Sequence, residues 1–259
     1  MITKEDIITP DKFLSLANNY ISRYSRDIQL IPERNIFFIK PDFIDDFRAN
    51  ILPRINYKFK LITHDSDYPV TNNHLDILNN PYLETWYGMN CHINHGKLQP
   101  VPIGMANEVW PHGDKDTIIN IAKKSNEKKN LVYCNFDIST NYGERATALM
   151  ALKDLDYIDF EQNNLPFEDY IEKLSTYKYV ISPPGNSVDC HRIWESIYVG
   201  TIPICLKSLP LAFFKDLPIL FLNSWHDLTR DILSNSYVNL ISKPHTKSIF
   251  SFYKKQIEN

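Results

Sequence analysis

Along this chain, short apolar runs alternate with stretches of helical apolar spacing. Residues 35–40 (NIFFIK) form a compact run, residues 42–52 follow at helical spacing up to Pro53, and residues 58–63 (KFKLIT) form a second run. Short runs of this kind read as buried strands and the spaced stretches as helices, so the pattern predicts a parallel α/β layer. Residues 83–87 (LETWY) and 98–103 predict two further strands. Upstream, Phe13, Leu14, Leu16, Ala17, Tyr20 and Ile21 recur at helical spacing, which predicts an amphipathic helix packed on this layer.

A second alternation starts further on. Residues 114–130 carry Ile118, Ile119 and Ile121 on a helix that gives way to a lysine-rich polar run, the best place for a linker. Beyond it, 131–136, 157–160 and 217–222 read as strands, while 167–176, 225–233 and the tail of the chain read as helices. The densest stretch is 179–205, YVISPPGNSVDCHRIWESIYVGTIPIC. Val180 and Ile181 lead into turn formers, Ile193, Trp194, Ile197 and Tyr198 keep helical spacing, and Gly200 stops the helix before a second apolar run. That is one βαβ unit, and its first loop lies at the carboxyl edge where open α/β sheets bind ligands. The resulting division is residues 1–125, then 126–240, then a terminal helix at 241–259, with no internal repeat.

Composition narrows the function classes. A formal net charge of −3 over 259 residues gives no basic footprint for nucleic acid. Cys91, Cys134, Cys190 and Cys205 are scattered without CxxC spacing, which argues against a zinc knuckle and for reduced thiols in a cytoplasmic compartment. Neither a signal peptide nor an 18-residue apolar run is evident, so no membrane anchor is expected. Oligomeric state is left open.

Two constellations carry chemistry. In the first, Ser187 or Asp189 can cap the helix, and Gly185 and Asn186 can turn backbone N–H groups toward an anion such as a diphosphate. Arg192 is a bidentate donor suited to phosphate, and His191, Arg192 and Glu195 share a helical face, where a carboxylate can accept both hydroxyls of a ribose. A capped helix with a surface Arg192–Glu195 ion pair is the plain alternative. The second constellation, His64, Asp65, Ser66, Asp67, Tyr68 and Pro69, follows a strand directly. Asp67 or Asp65 can serve as a general base with His64 orienting either, an Asx turn is the structural alternative, and His64, Asp65, Asp67 and His74 could instead hold the metal of a phosphoesterase. Trp110 is equally suited to a sugar platform or a core position.

The run Ser182, Pro183, Pro184, Gly185, Asn186, Asp189, Cys190, His191, Arg192, Trp194, Glu195, Gly200 and Pro203 resembles the donor-binding signature of exostosin-like glycosyltransferases, glycosyltransferase family 47, in the short form found in bacteria and large DNA viruses. Ser187 stands where that pattern has a second glycine, and by motif the resemblance covers roughly residues 60–225. It implies a GT-B fold, with two Rossmann-like layers facing across a cleft and the last helix crossing back to the first. It further implies a UDP-sugar donor, UDP-xylose first among several, a glycan acceptor and inverting transfer. Within Ser-Asp-Tyr-Pro it singles out Asp67 as the base, and it places Asn141, Arg145, Ser182, Gly185, Asn186, Ser187, His191, Arg192 and Glu195 around the donor. With cationic groups available for the diphosphate, no divalent metal is expected to be essential. A non-catalytic glycan- or nucleotide-binding protein is the competing class.

Overall fold

The computed structural model describes residues 2–124 and 126–259. A six-stranded sheet holds β1 (Asn19–Ile21), β2 (Arg26–Asp27), β3 (Ile36–Ile39), β4 (Phe59–Thr63), β5 (Leu83–Gly88) and β6 (Leu98–Pro100), in the order β2-β1-β3-β4-β5-β6. Its pairings are parallel except that of β2 with β1. A five-stranded, wholly parallel sheet holds β7 (Asn130–Cys134), β8 (Ile158–Phe160), β9 (Tyr177–Ile181), β10 (Ile202–Leu206) and β11 (Leu220–Leu222), in the order β11-β10-β9-β7-β8. The inner strands are almost continuously apolar because both faces of each sheet are covered.

The helices are α1 (Pro10–Ser15), α2 (Ile44–Asp46), α3 (Leu75–Leu78), α4 (Lys115–Lys124), α5 (Tyr142–Leu152), α6 (Phe167–Ser175), α7 (His191–Tyr198), α8 (Leu209–Ala212), α9 (Arg230–Ile241) and α10 (Phe250–Glu258). In the first sheet the chain steps in one direction from β3 to β6. Crossovers of one hand then leave α2 and α3 on the same face, where Ile44, Ile77 and Leu78 pack with Phe37, Leu61 and Trp86. In the second sheet the chain goes from β7 out to β8 and returns to β9 on the other side of β7. That reversal opens a crevice at the carboxyl ends of β7 and β9.

The other face of the first sheet does not end at a domain surface. Phe38 and Ile62 belong to one apolar core with Tyr133, Val180 and Cys205 of the second sheet, Ile118 of α4 and Trp194 of α7. Helix α10 joins this core through Phe250, Tyr253 and Ile257, and its last turn accepts hydrogen bonds from Lys60 Nζ and Tyr87 Oη, both at 2.8 Å. The two Rossmann-like halves are therefore fused through apolar packing, with the carboxyl edges of both sheets turned toward each other. All four cysteines are free.

Three local expectations need correction. The helix at residues 13–21 stops after α1, and Tyr20 and Ile21 form an edge strand instead. Asn18 explains the switch: its N–H donates to the Ile36 carbonyl at 3.1 Å and its side-chain oxygen accepts the Ile36 N–H at 3.0 Å, which docks the next residues beside β3. The helical stretch after Lys40 mixes 3-10, α and π turns, ending at the 3-10 turn that contains Pro53. The helix expected at 225–233 is split in two. Ser224 caps a single 3-10 turn, and Thr229 caps α9, which runs on to Ile241.

Candidate active site

Strand β9 delivers the chain into residues 182–190 at the strand-order reversal. Ser182 still belongs to the ladder: its N–H donates to the Ile204 carbonyl at 2.9 Å and its side chain is buried, so it supports the loop from beneath and does not line the cleft. The Gly185 N–H is not turned outward either, because it donates to the Ser187 carbonyl at 2.9 Å. Neither Ser187 nor Asp189 caps α7. Cys190 occupies the cap position without a side-chain hydrogen bond, and within the first turn the Ile193 N–H donates to the Cys190 carbonyl at 3.1 Å.

Asp189 has a different task. One of its carboxylate oxygens accepts the Ile103 N–H and the other the Trp194 indole N–H, both at 2.7 Å, while its own N–H donates to Asn90 Oδ1 at 2.9 Å. The loop after β9 is thereby clasped to the segments after β5 and β6. Burial pushes the Asp189 carboxyl up to about 7 against the opposing pull of those hydrogen bonds.

Between the two carboxyl edges lies a cleft of about 840 Å³, lined by Arg145, Gly185, Asn186, Arg192 and Glu195 of the second half and by Asp67 of the first. Arg145 comes from α5, whose start is capped by Asn141. Its Nε donates to the Pro184 carbonyl at 2.9 Å and Nη1 to the Asp137 carbonyl at 2.6 Å, leaving Nη2 beside Gly185. A Cβ at Gly185 would sit 3.1 Å from that nitrogen, so a larger residue here would press on Arg145. Asn141 does not line the cleft. Its amide donates to the Gly185 carbonyl at 2.8 Å and fixes the loop.

Arg192 projects from the first turn of α7 with its Nε buried and unpartnered. Among the described residues no carboxylate lies within ion-pair distance of Arg145 or Arg192. The two guanidinium groups instead repel each other across the cavity, which contributes to the lowered pKa of Arg145 after its burial. Glu195 is 5% exposed, so the surface ion pair is not formed. Its carboxyl accepts a hydrogen bond from Tyr170 Oη at 3.3 Å, and burial raises it to about 7, with Arg192 and Tyr170 pulling the other way. His191 lines the same cleft, its Nδ1 held by the Gly104 carbonyl at 2.7 Å, and burial lowers its pKa.

Of the second constellation, only Asp67 reaches the cleft. Its carboxylate accepts from Asn186 Nδ2 at 3.2 Å and Ser187 Oγ at 3.4 Å, a direct link between the halves. Ser187 thus sits in the glycine position of the resembled motif without a left-handed backbone and supplies a hydroxyl. Asp65 is turned aside into a two-point pair with Arg23, at 3.0 and 3.2 Å. His64 is fully buried and orients neither carboxylate. Its Nε2 donates to the Pro102 carbonyl at 2.8 Å, its Nδ1 accepts the Asp65 N–H at 2.9 Å, and desolvation lowers its pKa to about 4. His74 lies elsewhere, its Nδ1 accepting the Thr71 N–H and its ring edge-on to Trp86. The residues of the metal-phosphoesterase reading therefore do not converge.

No protein-family model and no curated protein matches the sequence. Among solved structures the chain is similar to HepE of Anabaena in complex with UDP-glucose, at 9% identity over 87% of this chain and 78% of that one, with a TM-score of 0.47. It is also similar to a UDP-forming α,α-trehalose-phosphate synthase from Burkholderia xenovorans, at 9% identity over 88% and 70% of the two chains and a TM-score of 0.43. The pneumococcal O-GlcNAc transferase GtfA in complex with UDP and GlcNAc aligns at 13% identity over 86% and 53%, with a TM-score of 0.37. At scores this low the functional reading rests on the site itself.

Four residues that the fold brings in carried no role of their own in the sequence reading. Tyr170 lies in the stretch 167–176 that reads simply as a helix, yet its hydroxyl meets Glu195. Arg23 follows the stretch read as a helix up to Ile21, and it pairs with Asp65. Asn135 and Thr140, in the segment after β7, line the cleft beside Arg145. Only Asn135 and Thr140 had a usable signal, their place just past a strand end. Trp110, 45% exposed on the cleft rim, is not a core residue.

Proposed function

We propose that the protein is a glycosyltransferase of the exostosin-like type that moves a sugar from a UDP-sugar to a glycan hydroxyl. The observation that carries this reading is the pair of guanidinium groups, Arg145 and Arg192, facing one cavity at the strand-order reversal, with no carboxylate among the described residues within ion-pair distance of either. Such a site favours a compact multivalent anion, and a diphosphate ester fits. Glu195, at the buried end with Tyr170, is suited to accept the two ribose hydroxyls.

In the reaction, the acceptor hydroxyl attacks the anomeric carbon while the bond to the diphosphate oxygen breaks, its electron pair leaving with UDP. Asp67 takes the hydroxyl proton, and the single displacement inverts the anomeric centre. Asp67 is favoured over Asp65 because its carboxylate borders the cleft, whereas that of Asp65 is committed to Arg23. Arg145, Arg192 and the start of α7 stabilise the negative charge growing on the departing diphosphate. They supply the countercharge a divalent ion would otherwise bring, so activity is expected to survive EDTA. UDP-xylose is the first donor to test, on the sequence resemblance.

The testing experiment is a thermal-shift screen against UDP, GDP, ADP and a panel of UDP-sugars, with and without Mn²⁺. A UDP-selective rise in melting temperature is expected, since a ligand of the folded state stabilises by mass action. No shift with any nucleotide would sink the proposal. For the chemistry, Asp67→Asn is expected to keep the UDP shift and lose turnover by about 10²–10⁴-fold. Full activity in that variant would rule out Asp67 as the base.

A further inference from the structure

A smaller cavity of about 130 Å³ opens beside the cleft, bordered by Arg23, Asp65, Asp67, Asn107, Trp110 and His191. Asp67, Trp110 and His191 also line the large cleft, so the two spaces meet where the proposed base stands. At about 130 Å³ it has room for about four waters at roughly 30 Å³ each, less than a whole pyranose, so a sugar ring seated here extends into the adjoining cleft.

Its walls are built with unusual care. Asp65 has φ +66°, a left-handed conformation costly for a residue with a Cβ, and three contacts hold it there. Its N–H is bound by the buried His64, the His64 ring stacks on Phe13 at 4.8 Å, and its carboxylate is gripped by Arg23 at two points. The Arg23 guanidinium in turn lies 5.9 Å from the centre of the Trp110 ring.

We propose that this cavity is the acceptor subsite and takes one uncharged pyranose; the proposal rests on the glycosyltransferase reading above. A carboxylate–guanidinium pair offers acceptors and donors in one plane, which matches adjacent sugar hydroxyls, and an aromatic face complements the C–H face of the ring. The Arg23–Asp65 pair is neutral overall and Asp67 adds negative charge, so uronic acids and sugar phosphates are disfavoured. A pyranose on Trp110 lies beside the cavity junction, with a hydroxyl within reach of Asp67.

Saturation-transfer NMR with free xylose, glucose, galactose, mannose and glucuronate, run without nucleotide, tests this directly. At least one neutral sugar is expected to bind the wild-type chain. Its signal is expected to vanish in Trp110→Ala and to fall at least tenfold in Asp65→Asn and Arg23→Gln, with glucuronate silent throughout. The UDP thermal shift, unchanged in Asp65→Asn and Arg23→Gln, reports that these variants fold. Neutral-sugar binding that is indifferent to all three substitutions, or absent from the wild-type chain, overturns the subsite. Sugar binding that depends on Trp110 in a protein with no UDP shift would leave a sugar site here but overturn its acceptor role together with the donor reading.

Discussion

Burial holds the Glu195 carboxyl near pH 7, so the charge on which ribose binding depends is titrated close to neutrality. Below about 7 the carboxyl carries a proton and offers the ribose hydroxyls less acceptor capacity. UDP affinity is therefore expected to fall as pH drops, by up to about tenfold per unit, in isothermal titrations between pH 5 and 8. Glu195→Gln is expected to flatten that dependence and weaken binding at pH 8 by about 10- to 100-fold, the loss of a hydrogen bond to a charged group. A pH-independent wild-type affinity would show that Glu195 does not meet the ligand. At this scale much of the site was legible. Arg192, Glu195 and His191 share a helical face by spacing alone, and that face does line the cleft. Ser182, Asn141 and His64 were misplaced because a motif names neighbours in sequence, while burial decides which side chains reach a cavity and which hold up its wall.

The loop after β9 works as a clasp between elements, and Asp189 is its centre. Asp189→Asn turns an amide N–H₂ toward one of two donors, Ile103 N–H or Trp194 Nε1, and is expected to cost about 1–3 kcal/mol. The sign of its pH dependence follows from linkage. The folded-state pKa is raised, so the wild-type chain binds more protons folded than unfolded between about pH 4 and 7 and loses stability as pH rises through that window. The variant lacks this loss, so its deficit in urea melts is expected to be smaller at pH 7 than at pH 5. Gly104 is the second element-scale pivot: φ is +67°, a Cβ would collide with the Ile8 carbonyl, and its own carbonyl holds His191. Gly104→Ala is expected to lose about 1–2 kcal/mol from the left-handed backbone alone, with the collision adding to it, read as a lowered melting temperature.

For the molecule as a whole, the shared core makes a definite prediction. Apolar packing runs from Phe38 and Ile62 through Trp194 to Val180, with α10 and Tyr253 closing it from the far end. The two halves are expected to unfold in one transition, with calorimetric and van't Hoff enthalpies equal. Two resolved transitions would show that the halves are independently stable. Among the described residues no helix is long and apolar enough to cross a membrane.

By itself the sequence determined the local plan: alternating strands and helices, the βαβ unit of 179–205 and the residue types that can grip a diphosphate. Apolar periodicity and turn chemistry act over a few residues, so they survive translation into one dimension. Tertiary structure alone decided the rest. It turned Tyr20 and Ile21 into an edge strand, made Asp189 a clasp rather than a cap, and set Arg145 and Arg192 on one cavity with no salt bridge to either among the described residues. It also set Asp67 against Asn186 and Ser187 from across the chain. These are contacts between residues far apart in sequence, fixed by which faces the two sheets bury against each other, and no local pattern encodes them.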